Sequence, residues 1–241
     1  MSGRYLLSAM TARYRLGASI VAAALLAGCG GLQPEDPGAV LREGAAATAR
    51  LKTVTVTLKV TKGTITFQGF ALVSASAALR LPGESDTVYL VRQQDFQIGL
   101  EVVILGGHVF LRPPLARFQE LPPAQAREIP DLAKLFDPAV GLPAVIPTGR
   151  SPKYQSAETV AGVDSHKVSA TYGADQVHGM LAQLGSSGDV AAVIWVGGSD
   201  HYIRKAVLTG KFGDNGTDST VEVDLSGFNG PVNIASPART S

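Results

Sequence analysis

The chain has one cysteine in 241 residues, Cys29, and one tryptophan, Trp195, and aromatic residues make up only 6% of it. Without a second cysteine an internal disulfide is excluded. With so few rings, little is left for the stacking by which proteins hold single-stranded nucleic acid or sugars. Charge of one sign is missing as well. The formal net charge is +1, or about −2 once the leader arginines Arg4, Arg13 and Arg15 are set aside, and Lys and Arg are scattered, so nothing here favours nucleic acid as a partner.

Reactive motifs are also absent. The four histidines, His108, His166, His178 and His201, form no HExxH or paired metal-ligand spacing. Gly185-Ser186-Ser187-Gly188 lacks the spacing of a nucleophile elbow, and Asp200-His201 falls in a polar turn after Gly197-Gly198. No P-loop or GxGxxG is present to cradle phosphate. The expectation is a protein that is not an enzyme and needs neither cofactor nor metal.

What the sequence does have begins at its amino terminus. Three arginines and no acid precede an apolar, small-residue run from Leu16 to Leu25, which ends at Leu26-Ala27-Gly28-Cys29. Charged, apolar and then small is the order of a secretory signal. The run is about ten residues, half of the roughly 20 that a membrane-spanning helix requires. Leu-Ala-Gly-Cys is a bacterial lipobox, so residues 1–28 read as a lipoprotein signal peptide and Cys29 as the lipid attachment site. Each buried methylene of such an anchor contributes about 0.8 kcal/mol. Residues 29–37, rich in Gly and Pro, read as a flexible tether. The rest suits a single domain over 38–234, with 235–241 as a frayed tail.

Hydrophobic residues make up 45% of the chain, mostly aliphatic. Asp36 and Pro37 are start signals for one Ala-rich helix reaching Arg50. From Thr53 to Val60 apolar and polar residues alternate without error, which places Val54, Val56, Leu58 and Val60 on one strand face. Thr64 to Leu79 reads as a long strand, or a bent pair, interrupted by Gly69. Thr87–Gln93 and Phe96–Leu105 are β-rich.

Gly106-Gly107 as a two-residue turn fixes a hairpin register. Counting outward, Leu105 faces His108, Ile104 faces Val109, Val103 faces Phe110, Val102 faces Leu111 and Glu101 faces Arg112. One face is Leu100, Val102, Ile104, Val109 and Leu111; the Glu101–Arg112 face reaches water. The apolar face either packs dry against a helix or lines a concave cavity.

Pro113-Pro114 and Pro122-Pro123 bracket a segment unsuited to a sheet, and Ile129–Pro147 reads as short helical pieces over it. Strands follow at Ser156–Val160 and Val163–Thr171. Ala174–Leu184 reads as a helix with Val177, Met180, Leu181 and Leu184 on one stripe. Three further strands run over Val190–Val196, Tyr202–Phe212 and Ser219–Phe228, the last two joined at Asp214-Asn215-Gly216. There Asn215-Gly216-Thr217 is a turn before it is a glycosylation sequon. Many antiparallel strands with helices gathered on one side make an α+β fold.

The lipobox, Phe136-Asp137-Pro138, the run AAVIWVGGSDHYIRKAVLTG at 191–210, STVEVDLSGFN at 219–229 and the closing Asn229-x-Pro231-Val232 resemble the LppX/LprA/LprF/LprG family of mycobacterial and related actinobacterial lipoproteins. The resemblance implies a strongly bent antiparallel sheet, a half-open β-barrel, with helices on its concave side enclosing an apolar cavity. It also implies a cell-envelope lipoprotein that binds acylated lipids or glycolipids there and carries them between membrane layers. Such a protein would be anchored to the outer face of the cell membrane, facing the periplasm or cell wall, with a membrane lipid transporter as a further partner. No ligand motif transfers residue by residue. The cavity residues follow from strand parity: Val54, Val56, Leu58, Val60, Leu100, Val102, Ile104, Val109 and Leu111, covered by Val177, Met180, Leu181 and Leu184. A second reading keeps the anchor and makes the domain an interaction or scaffold protein that docks a membrane transporter or envelope enzyme. An envelope hydrolase is a third, and would need a Ser/His/Asp cluster in the folded protein.

Overall fold

The computed structural model describes residues 32–67, 69–180, 186–213 and 217–237. Helix α1 spans Pro37–Thr48. The Asp36 carboxylate accepts a hydrogen bond from the Ala39 amide at 2.7 Å and Pro37 opens the first turn, the start that this sequence order favours. Its buried side is mostly small: Val40, Leu41, Gly44, Ala45, Ala47 and Thr48. At Gly44 a Cβ would sit 3.2 Å from Val196 and 3.3 Å from Ile203, so these small residues let the helix lie close on the sheet.

Among the described residues twelve strands follow: β1 Thr53–Lys62, β2 Ile65–Phe67, β3 Phe70–Arg80, β4 Glu84–Gln93, β5 Phe96–Leu105, β6 His108–Arg112, β7 Gln119–Glu120, β8 Arg150–Val160, β9 Val163–Tyr172, β10 Val190–Gly197, β11 Ile203–Phe212 and β12 Thr217–Ser226. Between β7 and β8 lie α2 (Pro123–Ala126), a 3-10 turn at Leu132–Phe136, α3 (Leu142–Val145) and a second 3-10 turn at Ile146–Thr148. Helix α4 (Ala174–Met180) follows β9.

The strands form one antiparallel sheet in the order β7-β6-β5-β4-β3-β1-β12-β11-β10-β9-β8, with β2 paired to β3. Two meanders, β3 to β7 and β8 to β12, meet through the pair of β1 and β12, which runs from Thr55 opposite Ser226 to Val60 opposite Val221. The sheet is curved and does not close. Register shifts at Val60/Lys62, Leu72/Ser74, Tyr154/Ser156 and Trp195/Val196 supply bulges, and bulges bend and twist a strand locally. Gly69 does something else: it lies in the tight turn that folds β2 back on β3, where Phe67 pairs with Phe70.

The β5–β6 register is the one the glycine turn predicts, pair for pair, from Leu105 opposite His108 to Glu101 opposite Arg112. Gly106 and Gly107 have φ of 60° and 82°, the left-handed pair that a two-residue hairpin turn demands. Glu101 and Arg112 form an ion pair.

Three expectations change. The proline-bracketed segment does reach the sheet, because β7 adds two residues at its edge, Glu120 opposite Phe110 and Gln119 opposite Leu111. Strand β8 begins at Arg150, six residues earlier than the apolar pattern suggests, since most of it is exposed and carries no alternation to read. The outer face of the β5–β6 hairpin is only partly wet: Val103 and Phe110 are buried with Ile234, and Val232, Leu105 and Phe118 pack around them. The segment after Pro231 is therefore held down, and the Val232 carbonyl accepts from Arg80 at 3.1 Å. The Asp214-Asn215-Gly216 turn lies outside the described residues. So do Cys29 and the last turn expected of the fourth helix, with Leu181 and Leu184.

Candidate functional site

Strand parity turns Val190, Ala192 and Ile194 of β10 toward the helices, together with Ala206, Leu208 and Phe212 of β11 and Val221, Val223 and Leu225 of β12. The pairing lines these up in ladders: Ile194–Ala206–Val223–Leu58 and Ala192–Leu208–Val221–Val60. Over them lie Leu135, Leu142, Val145 and Ile146 from the helical pieces and Val177 and Met180 from α4. Together they line a cavity with no polar surface. It offers about 110 Å³ to the centre of a water-sized sphere, within about 990 Å³ of interatomic space that includes its open side.

Two features leave this volume unfilled by side chains. Ala192 and Ala206 occupy the middle of the wall, where a branched side chain would fill the gap. Above them the cover includes α3, four residues long, and the described part of α4, Ala174–Met180.

One hydroxyl enters the wall. The Tyr172 hydroxyl donates to the Ile146 carbonyl at 3.0 Å, so it is engaged with the protein, and burial pushes its pKa above the usual phenol value. Tyr89 behaves likewise under the β4 region. It donates to the Pro130 carbonyl at 2.6 Å, and its pKa is raised first by burial and then by the Asp131 charge. Asp131 is itself raised, mainly by burial, although it accepts from the Ala133 amide at 3.0 Å. With its polar atoms engaged elsewhere, the cavity offers a ligand dispersion and desolvation only.

Of the residues expected from parity to form the cavity, Leu58, Val177 and Met180 line it. Val54 and Val56 are 0% exposed in closed core. Val60 is half-buried against the same core. Val102 and Ile104 are buried, and Leu100, Val109 and Leu111 are half-buried beside them. Ile104 and Val109 also border a second, more open hollow with His108, Glu120, Asp131 and Lys134. The wholly apolar cavity thus lies under β10 to β12, while the hollow at the β5–β6 hairpin has a partly polar lining. The residues passed over there, Val221, Val223 and Leu225 among them, carry a readable signal in the alternation Val-Glu-Val-Asp-Leu.

The histidines hold local structure. His201 Nδ1 is 3.2 Å from Glu43 of α1, and buried His166 has Nε2 3.4 Å from Glu35. Asp200 pairs with Arg204 and accepts from the Tyr202 amide at 3.1 Å. On the outer face the Trp195 indole donates to Glu158 at 2.9 Å between Lys167 and Lys205. Among the described residues, no helix is long and apolar enough to cross a membrane, and no three His, Cys, Asp or Glu side chains are grouped to hold a metal.

A curved, unclosed sheet that encloses an apolar cavity beneath short helices, following a lipobox, defines a class of envelope lipoprotein. The chain belongs to the LppX_LprAFG lipoprotein family, whose model matches residues 36–234. Its similar relatives include LprG of Mycobacteroides abscessus, named a lipoarabinomannan carrier protein, which is 27% identical over 230 residues covering 91% of this chain and 94% of that one. The protein of the same name from Mycobacterium tuberculosis is 24% identical, covering 92% and 93%. Among solved structures, LprF from Mycobacterium bovis superposes with a TM-score of 0.67 at 21% identity, over 84% of this chain and 97% of that one. LppX from Mycobacterium tuberculosis superposes with a TM-score of 0.59 at 20% identity, over 83% and 98%. These two share the fold.

Proposed function

We propose that this protein is a lipid-anchored carrier that takes the acyl chains of a lipid or glycolipid into the cavity under β10 to β12 and moves them between layers of the cell envelope. The observation that carries this reading is the chemistry of the wall: many aliphatic side chains, no polar surface, and a volume left open by two alanines. Moving an acyl chain out of water gains about 0.8 kcal/mol per methylene, so an apolar container suffices and no reactive residue is required. The carrier names borne by the LprG relatives support the same reading.

Cys29 anchors the protein in this proposal to the outer face of the cell membrane, with a membrane lipid transporter as the partner that loads it. Native mass spectrometry with lipid extraction, on a soluble form lacking the first 29 residues, tests the reading free of the protein's own acyl chains. Stoichiometric acylated lipid is the expected result. A protein that stays empty after incubation with envelope lipids would refute it and leave docking of a transporter as the role of the domain.

A further inference from the structure

Residues 32–37, expected to be part of a flexible tether, do not hang free of the domain. Leu32 lies on the β10–β11 turn so closely that a Cβ at residue 198 would come within 3.0 Å of three of its carbons, Cγ, Cδ1 and Cδ2. A side chain at 198 would have to displace that of Leu32. Three residues further on, Glu35 stands 3.4 Å from the buried His166 of β9, and Asp36 caps α1. Among the described residues, Leu32 is thus the first point at which the chain is fastened to the sheet.

Cys29 stands three positions earlier. Three residues reach at most about 11 Å when fully extended, and the headgroup layer on each side of a bilayer is itself about 5–8 Å thick. A domain fastened at Leu32 and acylated at Cys29 cannot stand off from its membrane. We infer that the rim of the sheet bearing the β10–β11 turn rests against the lipid headgroups of the membrane that holds the anchor, and that the strands point away from it. The inference rests on the acylation of Cys29 in the reading above, and goes beyond it by assigning the membrane-facing surface.

Antiparallel register decides which loops share that rim. The turn after β10 lies with Ala161-Gly162 between β8 and β9, the end of β12 at Ser226, the start of β1 at Thr53 and the Gly106-Gly107 turn. The opposite rim carries Gln94-Asp95 between β4 and β5, Gly69 between β2 and β3, and the end of β11 at Phe212. The cavity wall spans this distance, from Ile203 and Leu225 at the membrane rim to Phe212 and Ile65 at the far one. From Ile203 to Phe212 the strand rises about 30 Å. The far end of the cavity therefore stands well clear of the headgroups, on the side toward which a lipid would be handed on.

The chain suits a direct test, because its one cysteine is consumed by the anchor and any introduced cysteine is the only thiol available for labelling. Full-length acylated protein would carry a fluorophore at Ser199→Cys on the membrane rim or at Asp95→Cys on the far rim. It would be placed in phosphatidylcholine vesicles containing a headgroup-spin-labelled lipid. Quenching several-fold stronger at 199 than at 95 is the expected result. Leu32→Ser and Gly198→Val, two independent ways of unseating the tether, should each shrink that difference while the protein stays membrane-bound. Equal quenching at the two sites, or a difference that survives both variants, would overturn the inference. Mass spectrometry of the Cys29 peptide separates the cases: an unacylated cysteine sinks both readings, whereas an empty cavity with the quenching difference intact sinks the carrier alone.

Discussion

Replacing Ala206 by Phe tests the cavity directly. Ala206 sits in the middle of β11 between Ile194 and Val223, and its methyl group forms part of the wall. At about 24 cal/mol per Å³ of unfilled apolar volume, the 110 Å³ open to water-sized spheres costs the empty protein about 2.6 kcal/mol. A phenyl ring directed into that space recovers part of this, about 1–2 kcal/mol, since its shape does not match the void in full. For a domain of this size each kcal/mol moves Tm by about 2–4 °C, so the delipidated variant should melt about 2–8 °C above the delipidated parent. The same ring occupies the ligand's place. Native mass spectrometry should find the variant without lipid, and its Tm should not respond to added lipid, whereas the parent should be stabilised as mass action requires. A variant that retains stoichiometric lipid, or that melts several degrees lower, would refute the reasoning, because Ala206 would then face closed core or the lipid would lie elsewhere.

Leu79 is fully buried but does not line the cavity, so Leu79→Ala should cost about 2–5 kcal/mol in urea unfolding and leave lipid occupancy in the surviving folded protein unchanged. Tyr89 and Tyr172 have folded-state pKa values above that of a free phenol. Their unfolded forms lose protons near pH 10 while the folded forms keep theirs, so stability is complete below about pH 10 and falls as pH rises beyond it. Phenolate absorbance followed with circular dichroism should show these two tyrosines ionising only as the fold is lost. Lipid binding should slow hydrogen exchange most in residues 142–148 and least in β10 to β12, because the cover consists of short pieces and the wall is hydrogen-bonded on both sides; uniform protection would contradict this.

Much of the fold is legible where one face of a strand is apolar and the other polar. Thr53 to Val60 and the Gly106-Gly107 hairpin are such places, and in the hairpin even the pairing can be counted, because a two-residue turn leaves a single register. Strand β8 is harder, since an exposed edge strand has no apolar face to mark it. The packing partner of residues 232–234 is hard to read for a different reason. Val232 and Ile234 alternate as a strand would, but in a short polar segment whose partner, the outer face of β5 and β6, is distant in sequence. The location of the cavity was the least legible feature. Parity says which side of the sheet is apolar; it does not say which part of that side is filled.

Filling is decided by side-chain size against what lies opposite. Under β3 to β6 the inward positions include Leu72, Ala75, Ala77, Leu79, Tyr89, Val91, Val102 and Ile104, and the 3-10 turn bearing buried Leu132 and Phe136 packs over β3 and β4. Under β10 to β12 two of the inward positions are alanines, and the cover is α3, a 3-10 turn and α4. A four-residue helix such as α3 makes few internal hydrogen bonds: the amides of Ala144 and Val145 both return to the Gly141 carbonyl at 3.0 Å, and no long cooperative ladder fixes it in place. Moving such a piece breaks little, whereas moving a sheet strand breaks bonds to two neighbours. The division of labour follows from that difference. In the carrier proposed above, the sheet would hold a wall of constant shape from one rim to the other, and adjustment to a thicker or thinner bundle of acyl chains would fall on the segment between Asp137 and Thr148.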